Sequence, residues 1–364
     1  MPWSIVVGRV AGTAIRIHIT FLMFLVWIGF SAWRSGGNSA AVESVAFISL
    51  LFLCVLLHEF GHILMARRFG IVTPDVTLLP IGGVANLERI PEKPSQELAV
   101  ALAGPAVNVV IAIILMLFLG ASLPDDIAKI DDPKLGLLAR LPGANIFLVL
   151  FNMIPAFPMD GGRVLRAILA MRMEKQRATA IAARIGQGLA FGLGFLGLFG
   201  NPLLIFIAIF VYVAAAGESQ DSAFKAATVG MTSREAMETS FATVPVTASL
   251  EQAVDILLAT GQHEFPVVDS FNKPVGLLVR DNLIGALRDK PRDAPVADCM
   301  TVPVPTVRAD VLLDQALQQM QTSGLPAISV VDADGVLVGF LTKENIAEMM
   351  LIKTMQPDWK FAKR

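Results

Sequence analysis

The chain has 364 residues, 54% hydrophobic and 16% charged, with a mean hydropathy of +0.64. Soluble globular domains carry about 25% charged residues, so this composition excludes an ordinary soluble enzyme and points to a membrane protein. A net charge of −2 argues against nucleic acid as a bulk electrostatic partner.

Arg9 and Arg16 precede an apolar run that reaches Trp33. The run is too long for a signal peptide and lacks a small-x-small cleavage site, so it reads as a retained first span. A bilayer span needs roughly 20 apolar residues. Six stretches are candidates: 14–33, 45–65, 98–117, 144–169, 180–198 and 202–216. The second contains His58-Glu59-Phe60-Gly61-His62, the ionisable exception in a run otherwise apolar apart from Ser49. The fourth contains Pro155, Pro158 and Asp160, so it is expected to break, which a bilayer tolerates only inside protein or beside a watered cavity. The last two join through Gly200-Asn201, a tight hairpin. Between the second and third spans, 72–97 is too short and too rich in Gly and Pro to cross. It reads as a surface loop or as a re-entrant β-hairpin whose edge pairs with an extended peptide. Cys54 lies in a span far from Cys299, so no structural disulfide is expected.

Loop cations set orientation. Arg9 and Arg16 flank the first span, and Arg67 and Arg68 follow the second. Arg163, Arg166, Arg172, Lys175 and Arg177 crowd the end of the fourth, and Lys225 follows the sixth. The opposite loop 123–141 sets Asp125, Asp126, Asp131 and Asp132 against Lys129, Lys134 and Arg140. Six spans with cytoplasmic termini satisfy this pattern. His58, Glu59, His62 and Asp160 then share a depth near the cytoplasmic third of the bilayer.

After about residue 217 charge becomes frequent and a repeat emerges. Val244-Pro-Val-Thr-Ala-Ser-Leu leads to Phe265-Pro-Val-Val-Asp and Gly276-Leu-Leu-Val-Arg-Asp-Asn. The order recurs from Val304-Pro-Thr-Val through Leu325-Pro-Ala-Ile-Ser-Val-Val-Asp to Gly339-Phe-Leu-Thr-Lys-Glu-Asn. Each unit reads strand, helix, strand, strand, helix, and the pair resembles tandem CBS (cystathionine-β-synthase-type) domains. The expected fold is multi-domain. A polytopic α-helical membrane domain with a re-entrant β-hairpin loop (1–217) leads through a linker (218–230) to a soluble α/β tandem CBS pair (231–290 and 296–353) and a tail (354–364).

His-Glu-x-x-His on a helix is a zinc-hydrolase pattern with a mechanical basis. Residues four apart share a helix face, so His58 and His62 present two imidazoles to one ion, and catalytic zinc wants a third protein ligand and an open position. Glu59, about 100° around the helix, can act as general base without ligating. Asp160 is the carboxylate at matching depth. Ionisable groups inside a bilayer are costly and functional by default. Asn152, eight residues before Asp160, is a neutral donor for a developing oxyanion; its other reading is an interhelix hydrogen bond. Cys54 shares the His58 face, as packing or as a thiolate ligand.

Three motifs carry a wider resemblance: His58-Glu-Phe-Gly-His62, Ala103-Gly-Pro-Ala-Val-Asn108, and Asn152-Met-Ile-Pro-Ala-Phe-Pro-Met-Asp160-Gly-Gly. Together they resemble the site-2 proteases, intramembrane zinc metalloproteases, although the family usually has Leu where this chain has Met159. The resemblance implies one Zn²⁺ on His58, His62 and Asp160, with Glu59 as base and Asn152 in substrate binding. It implies a transmembrane protein substrate, such as an anti-sigma factor, a sigma precursor or a signal-peptide remnant. Gly82, Gly83, Asn86 and Asn108 are candidate substrate contacts, and His18 is expected to be structural or gating. A multi-pass protein of the cytoplasmic membrane, homodimeric through its CBS domains, is implied. CBS pairs imply an adenine nucleotide. The candidate contacts are Asn282, Thr342 and Asn345; Thr342 keeps the usual Thr, whereas Asn282 and Asn345 stand in place of the usual ribose-gripping Asp, and Asn lacks the charge that strengthens that bond. A CBS-regulated transporter or channel, with the ionisable cluster as ion path, is the alternative; it would predict inverted repeats, and none is visible.

Overall fold

The computed structural model describes residues 3–88, 91–119, 137–228, 230–356 and 359. It divides into two compact units, Met1–Gln220 and Asp221–Arg364. The acidic residues Asp125, Asp126, Asp131 and Asp132, with Lys129 and Lys134, lie outside the described residues, as does most of the 354–364 tail.

The first unit starts with a hairpin rather than a helix. Strands β1 (Ser4–Val10) and β2 (Thr13–His18) pair antiparallel. Ala11 and Gly12 both adopt positive φ, at 49° and 81°, the two-residue turn whose twist matches the strands. This corrects the first span, expected from residue 14. Alternation from Thr13 to His18 is a strand period, but Ile15 and Ile17 on one face run straight into the apolar helix that follows, with no turn residue between. His18 ends the strand and caps the next helix, its Nδ1 accepting from the Thr20 amide at 3.3 Å.

Helix α1 (Ile19–Arg68) is 50 residues long and interrupted at Gly37, whose φ of 73° and ψ of −162° leave helical space. A helix of that length would reach about 75 Å, far more than a bilayer core of about 30 Å. The break at Gly37 resolves this, giving two apolar arms. The second arm carries the His-Glu-x-x-His motif. Strands β3 (Asp75–Leu79) and β4 (Gly82–Ala85) form the expected hairpin. It joins the amino-terminal strands in one sheet of order β1-β2-β3-β4, with β2 and β3 parallel. Val76 packs with Phe60 and Ile63, and Leu78 with Phe21 and Phe52, so the sheet is seated on α1. Among the described residues β1 and β4 are its two edges.

Helices α2 (Pro94–Leu119) and α3 (Leu137–Asn152) follow. Gly61 lets α1 and α2 touch backbone to backbone: a Cβ there would lie 2.6 Å from the Ala103 carbonyl oxygen. The break expected in the fourth stretch is present. α3 ends at Asn152, residues 153–159 run irregularly, and α4 (Asp160–Ala170) restarts. α5 (Lys175–Phe199) and α6 (Leu203–Thr228) form the closing hairpin. Residues 218–228, expected in a linker, are helical as the end of α6. Among the described residues four helices are long and apolar enough to cross a membrane: Ile19–Arg68, Pro94–Phe118, Lys175–Phe199 and Leu203–Phe224.

The second unit is the expected α/β pair. Its elements are α7 (Ser233–Ala236), β5 (Val244–Pro245), α8 (Leu250–Thr260), β6 (Glu264–Val268), β7 (Pro274–Val279), α9 (Arg280–Asp289), β8 (Thr306–Arg308), α10 (Leu313–Ser323), β9 (Ala327–Val331), β10 (Leu337–Thr342) and α11 (Lys343–Met355). Two three-stranded sheets, β5-β6-β7 and β10-β9-β8, repeat one topology. The halves are interlaced: Glu238 bridges to Phe340 of the second repeat, and Thr301 to Leu277 of the first. Leu277, Ala327 and Phe340 share a buried core with Phe241 packed against it.

Candidate metal centre

Three side chains far apart in sequence converge. His58 Nε2, His62 Nε2 and Asp160 Oδ2 form a triangle with each edge 3.1 Å. The residues are buried, at 5%, 4% and 7% exposure. They are the one group among the described residues able to hold a metal ion.

Each is placed by local structure. The two histidines sit one turn apart on α1. His62 Nδ1 donates to the Val100 carbonyl of α2 at 2.7 Å, which assigns the ring proton to Nδ1 and leaves Nε2 a bare lone pair. Gly104, one turn beyond Val100, makes room for both rings; a Cβ would lie 2.7 Å from His58 Nε2 and nearer still to His62. Asp160 opens α4. Gly161 and Gly162 behind it let α4 press on the 153–157 backbone, where a Cβ at Gly162 would stand 2.7 Å from the Phe157 nitrogen.

The donor chemistry fits a cation. His62 Nε2 is already a lone pair, and it faces a carboxylate oxygen and a second imidazole nitrogen. One shared proton cannot bridge three edges, so a central positive ion is what satisfies them. Zinc bonds of about 2.0–2.1 Å would separate tetrahedral ligands by ~3.3 Å, close to the observed edges.

Glu59 lies one residue past His58, half-buried, within electrostatic reach of both histidines and Asp160. Edge strand β4 is pressed onto it: a Cβ on Gly83 would lie 2.6 Å from Glu59 Cγ. That contact leaves no mark in the sequence beyond the Gly82-Gly83 pair. Asn152 ends α3, half-buried, at the mouth of the irregular segment. Asn108 is wholly buried on α2, and neither of its amide atoms has a hydrogen-bond partner among the described residues. Asn86 instead donates to Asp75 Oδ1 at 2.6 Å, closing the hairpin. Cys54 receives a contact from Asn145 Nδ2 at 3.5 Å and stands outside the ligand triangle.

The second unit holds a cleft of about 660 Å³ lined by Phe241, Thr342, His263 and three glutamates, Glu238, Glu264 and Glu344. Burial first, and Glu344 second, push the Glu264 carboxyl above its ordinary range. Thr342 lines the cleft while its hydroxyl caps α11 through the Asn345 amide at 3.0 Å. Asn282 lies outside the lining and donates to Thr301 at 3.4 Å. Asn345 is outside the lining too.

Comparison with known proteins gives the family. The family model for peptidase family M50 matches residues 46–133 and 131–193, and that for the CBS domain matches 234–289 and 296–352. A zinc metalloprotease of Methanocaldococcus jannaschii is 35% identical over 362 residues, 99% of this chain and 100% of the relative. Stage IV sporulation protein FB of Bacillus subtilis is 29% identical over 166 residues, 45% of this chain and 54% of that one. Among solved structures, the site-2 protease from Methanocaldococcus jannaschii is 38% identical, covering 60% of this chain and 95% of that one, with a TM-score of 0.45. The chain belongs to peptidase family M50: it is a zinc metalloprotease of the site-2 type with a carboxy-terminal pair of CBS domains.

Proposed function

We propose that the chain is an intramembrane endopeptidase that cuts another protein within or beside its transmembrane helix. His58, His62 and Asp160 hold one zinc ion and Glu59 is the general base. The observation that carries this reading is the buried triangle of three electron-pair donors, 3.1 Å on each edge, with Glu59 beside it and an edge strand beside Glu59. A zinc ion bound there supplies positive charge that polarises a carbonyl and acidifies a water toward a pKa of ~7. Glu59 takes the proton of the attacking water and passes it to the leaving amide nitrogen. Asn152 donates to the carbonyl oxygen as negative charge develops.

A helical substrate hides its scissile bond, so part of it must unwind. Its extended segment can join β4 as a further strand, which brings a peptide backbone alongside Glu59. The closeness of Gly83 to Glu59 supports this route. The substrates implied are anti-sigma factors, sigma precursors or signal-peptide remnants held in the cytoplasmic membrane, with both termini of the protease in the cytoplasm and the CBS pairs of two copies joined. An ion path, the other reading of the cluster, needs no converging lone pairs and no neighbouring base. The expected result for the full-length protein in lipid is one zinc per chain and cleavage of a transmembrane substrate that chelation abolishes and zinc restores. A wild-type chain without metal, or cleavage indifferent to chelation, rejects the reading.

The cleft of the soluble unit takes the nucleoside part of an adenine nucleotide, with Phe241 available to the base and Thr342 to hydroxyls. Three glutamates against one histidine oppose a phosphate chain. Adenosine is therefore expected to bind full-length protein about tenfold more tightly than ATP. Calorimetry measures this, and tighter binding of ATP would show that the phosphates find cations elsewhere.

A further inference from the structure

Arg166 reads in the sequence as one of the loop cations that orient the protein, yet it is 2% exposed. Its Nε and Nη2 both donate to Glu97 Oε1 at 2.6 Å, and its Nη1 donates to Glu218. The guanidinium also stacks over the Phe157 ring at 5.1 Å. Glu97 is itself 3% exposed. One side chain on α4 thus grips α2, α6 and the irregular segment before Asp160.

The spacing along α2 gives this grip its meaning. Glu97, Val100 and Gly104 are three and four residues apart, hence on one helix face. Val100 orients His62, Gly104 seats both histidine rings, and Glu97 holds Arg166. Asp160 and Arg166 share a helix of only 11 residues, about 16 Å long, so moving one moves the other. The same α2 face therefore references all three members of the triangle. α6 continues from Glu218 as helix to Thr228, so a displacement of that helix reaches Arg166 directly.

We propose that Arg166 is the positioning residue for Asp160, locking α4 to the α2 face that orients the histidines, with Glu218 bringing α6 under the same lock. The proposal rests on the zinc reading of the triangle. Arg suits the task because its planar fork holds two carboxylates in fixed directions, which Lys cannot do.

The test uses full-length protein in lipid. Arg166→Gln alone would strip the buried Glu97 of its nearest cation and leave it only Lys175, 3.5 Å from Oε2, a change that can unfold the protein. The informative variants are therefore the neutral double Glu97→Gln/Arg166→Gln, with Arg166→Lys and Glu218→Gln. Three quantities are read: the half-life of zinc release to a chelator, hydrogen exchange of the Gly161–Arg163 amides in metal-free protein, and kcat separately from KM. For the double variant, zinc release about tenfold faster is expected, with faster exchange, kcat down about tenfold and KM within about twofold. Arg166→Lys should fall between it and wild type, and Glu218→Gln should give about a threefold change. A folded double variant matching wild type within about twofold in all three overturns the proposal while leaving the zinc reading intact. A wild-type protein that binds no zinc overturns both.

Discussion

Replacing Asp160 with alanine is expected to empty the metal centre, leaving the fold in place. The carboxylate is the one anion of the triangle, 3.1 Å from each imidazole nitrogen, and the two histidines alone offer zinc neither a third ligand nor charge balance. Outer-shell partners typically cost 10–100-fold in metal affinity, so a direct ligand should cost at least about a hundredfold. The structural cost is small by comparison. Asp160 is in the first turn of α4, where an acidic side chain stabilises the helix by about 0.3–1 kcal/mol. Gly161 and Gly162 still seat α4 on the 153–157 backbone. Metal analysis after dialysis, beside the melting temperature, checks this: zinc near zero with a small shift in melting is expected. Full zinc occupancy in Asp160→Ala would remove it from the ligand set. His58→Ala should behave alike, because Gly104 is shaped to the ring it loses.

Much of the site was legible because helix geometry ties spacing to space. His58 and His62 share a face by period alone, and Pro155 and Pro158 marked the break at which Asp160 starts a new helix. The four-strand sheet was legible only in part. Pro80 and Gly82-Gly83 marked the β3–β4 turn, but the amino-terminal hairpin was hidden. A strand alternating Ile with Ala, Arg and His, followed at once by a lipid-facing helix, has no polar punctuation at its end. Arg16 reads in sequence as an orienting loop cation; in the fold it pairs with Asp75 at 3.4 Å. Arg166 misleads in the same way, since a cation near a span end looks identical whether it meets water or a buried carboxylate. Partners 69 and 52 residues away leave no periodic trace. Gly83 belongs to this class too. A glycine required by a turn and a glycine required by a neighbouring side chain are the same letter, and only the fold separates them.

Glu59→Gln is expected to abolish cleavage and leave zinc bound. The substitution keeps the length and volume of the side chain, so the close contact with Gly83 and the packing of β4 are retained. It removes the ability to accept a proton. Glu59 lies about 100° from His58 around the helix and outside the ligand triangle, so its loss takes no electron pair from the metal. A positioned general base contributes about 10²–10⁴-fold, and a fall in kcat of that size is expected, with KM within about twofold because the β4 edge proposed to dock substrate is untouched. The contrast with Asp160→Ala separates the two roles: one variant is inactive and metal-free, the other inactive and metal-loaded. Comparing fragments released from membranes bearing the wild-type chain and the Glu59→Gln chain also identifies substrates, since uncut proteins accumulate only with the latter. Cleavage persisting in Glu59→Gln with zinc bound would take the base role from Glu59. Loss of zinc from that variant would mean that Glu59 supports the metal as well as the proton.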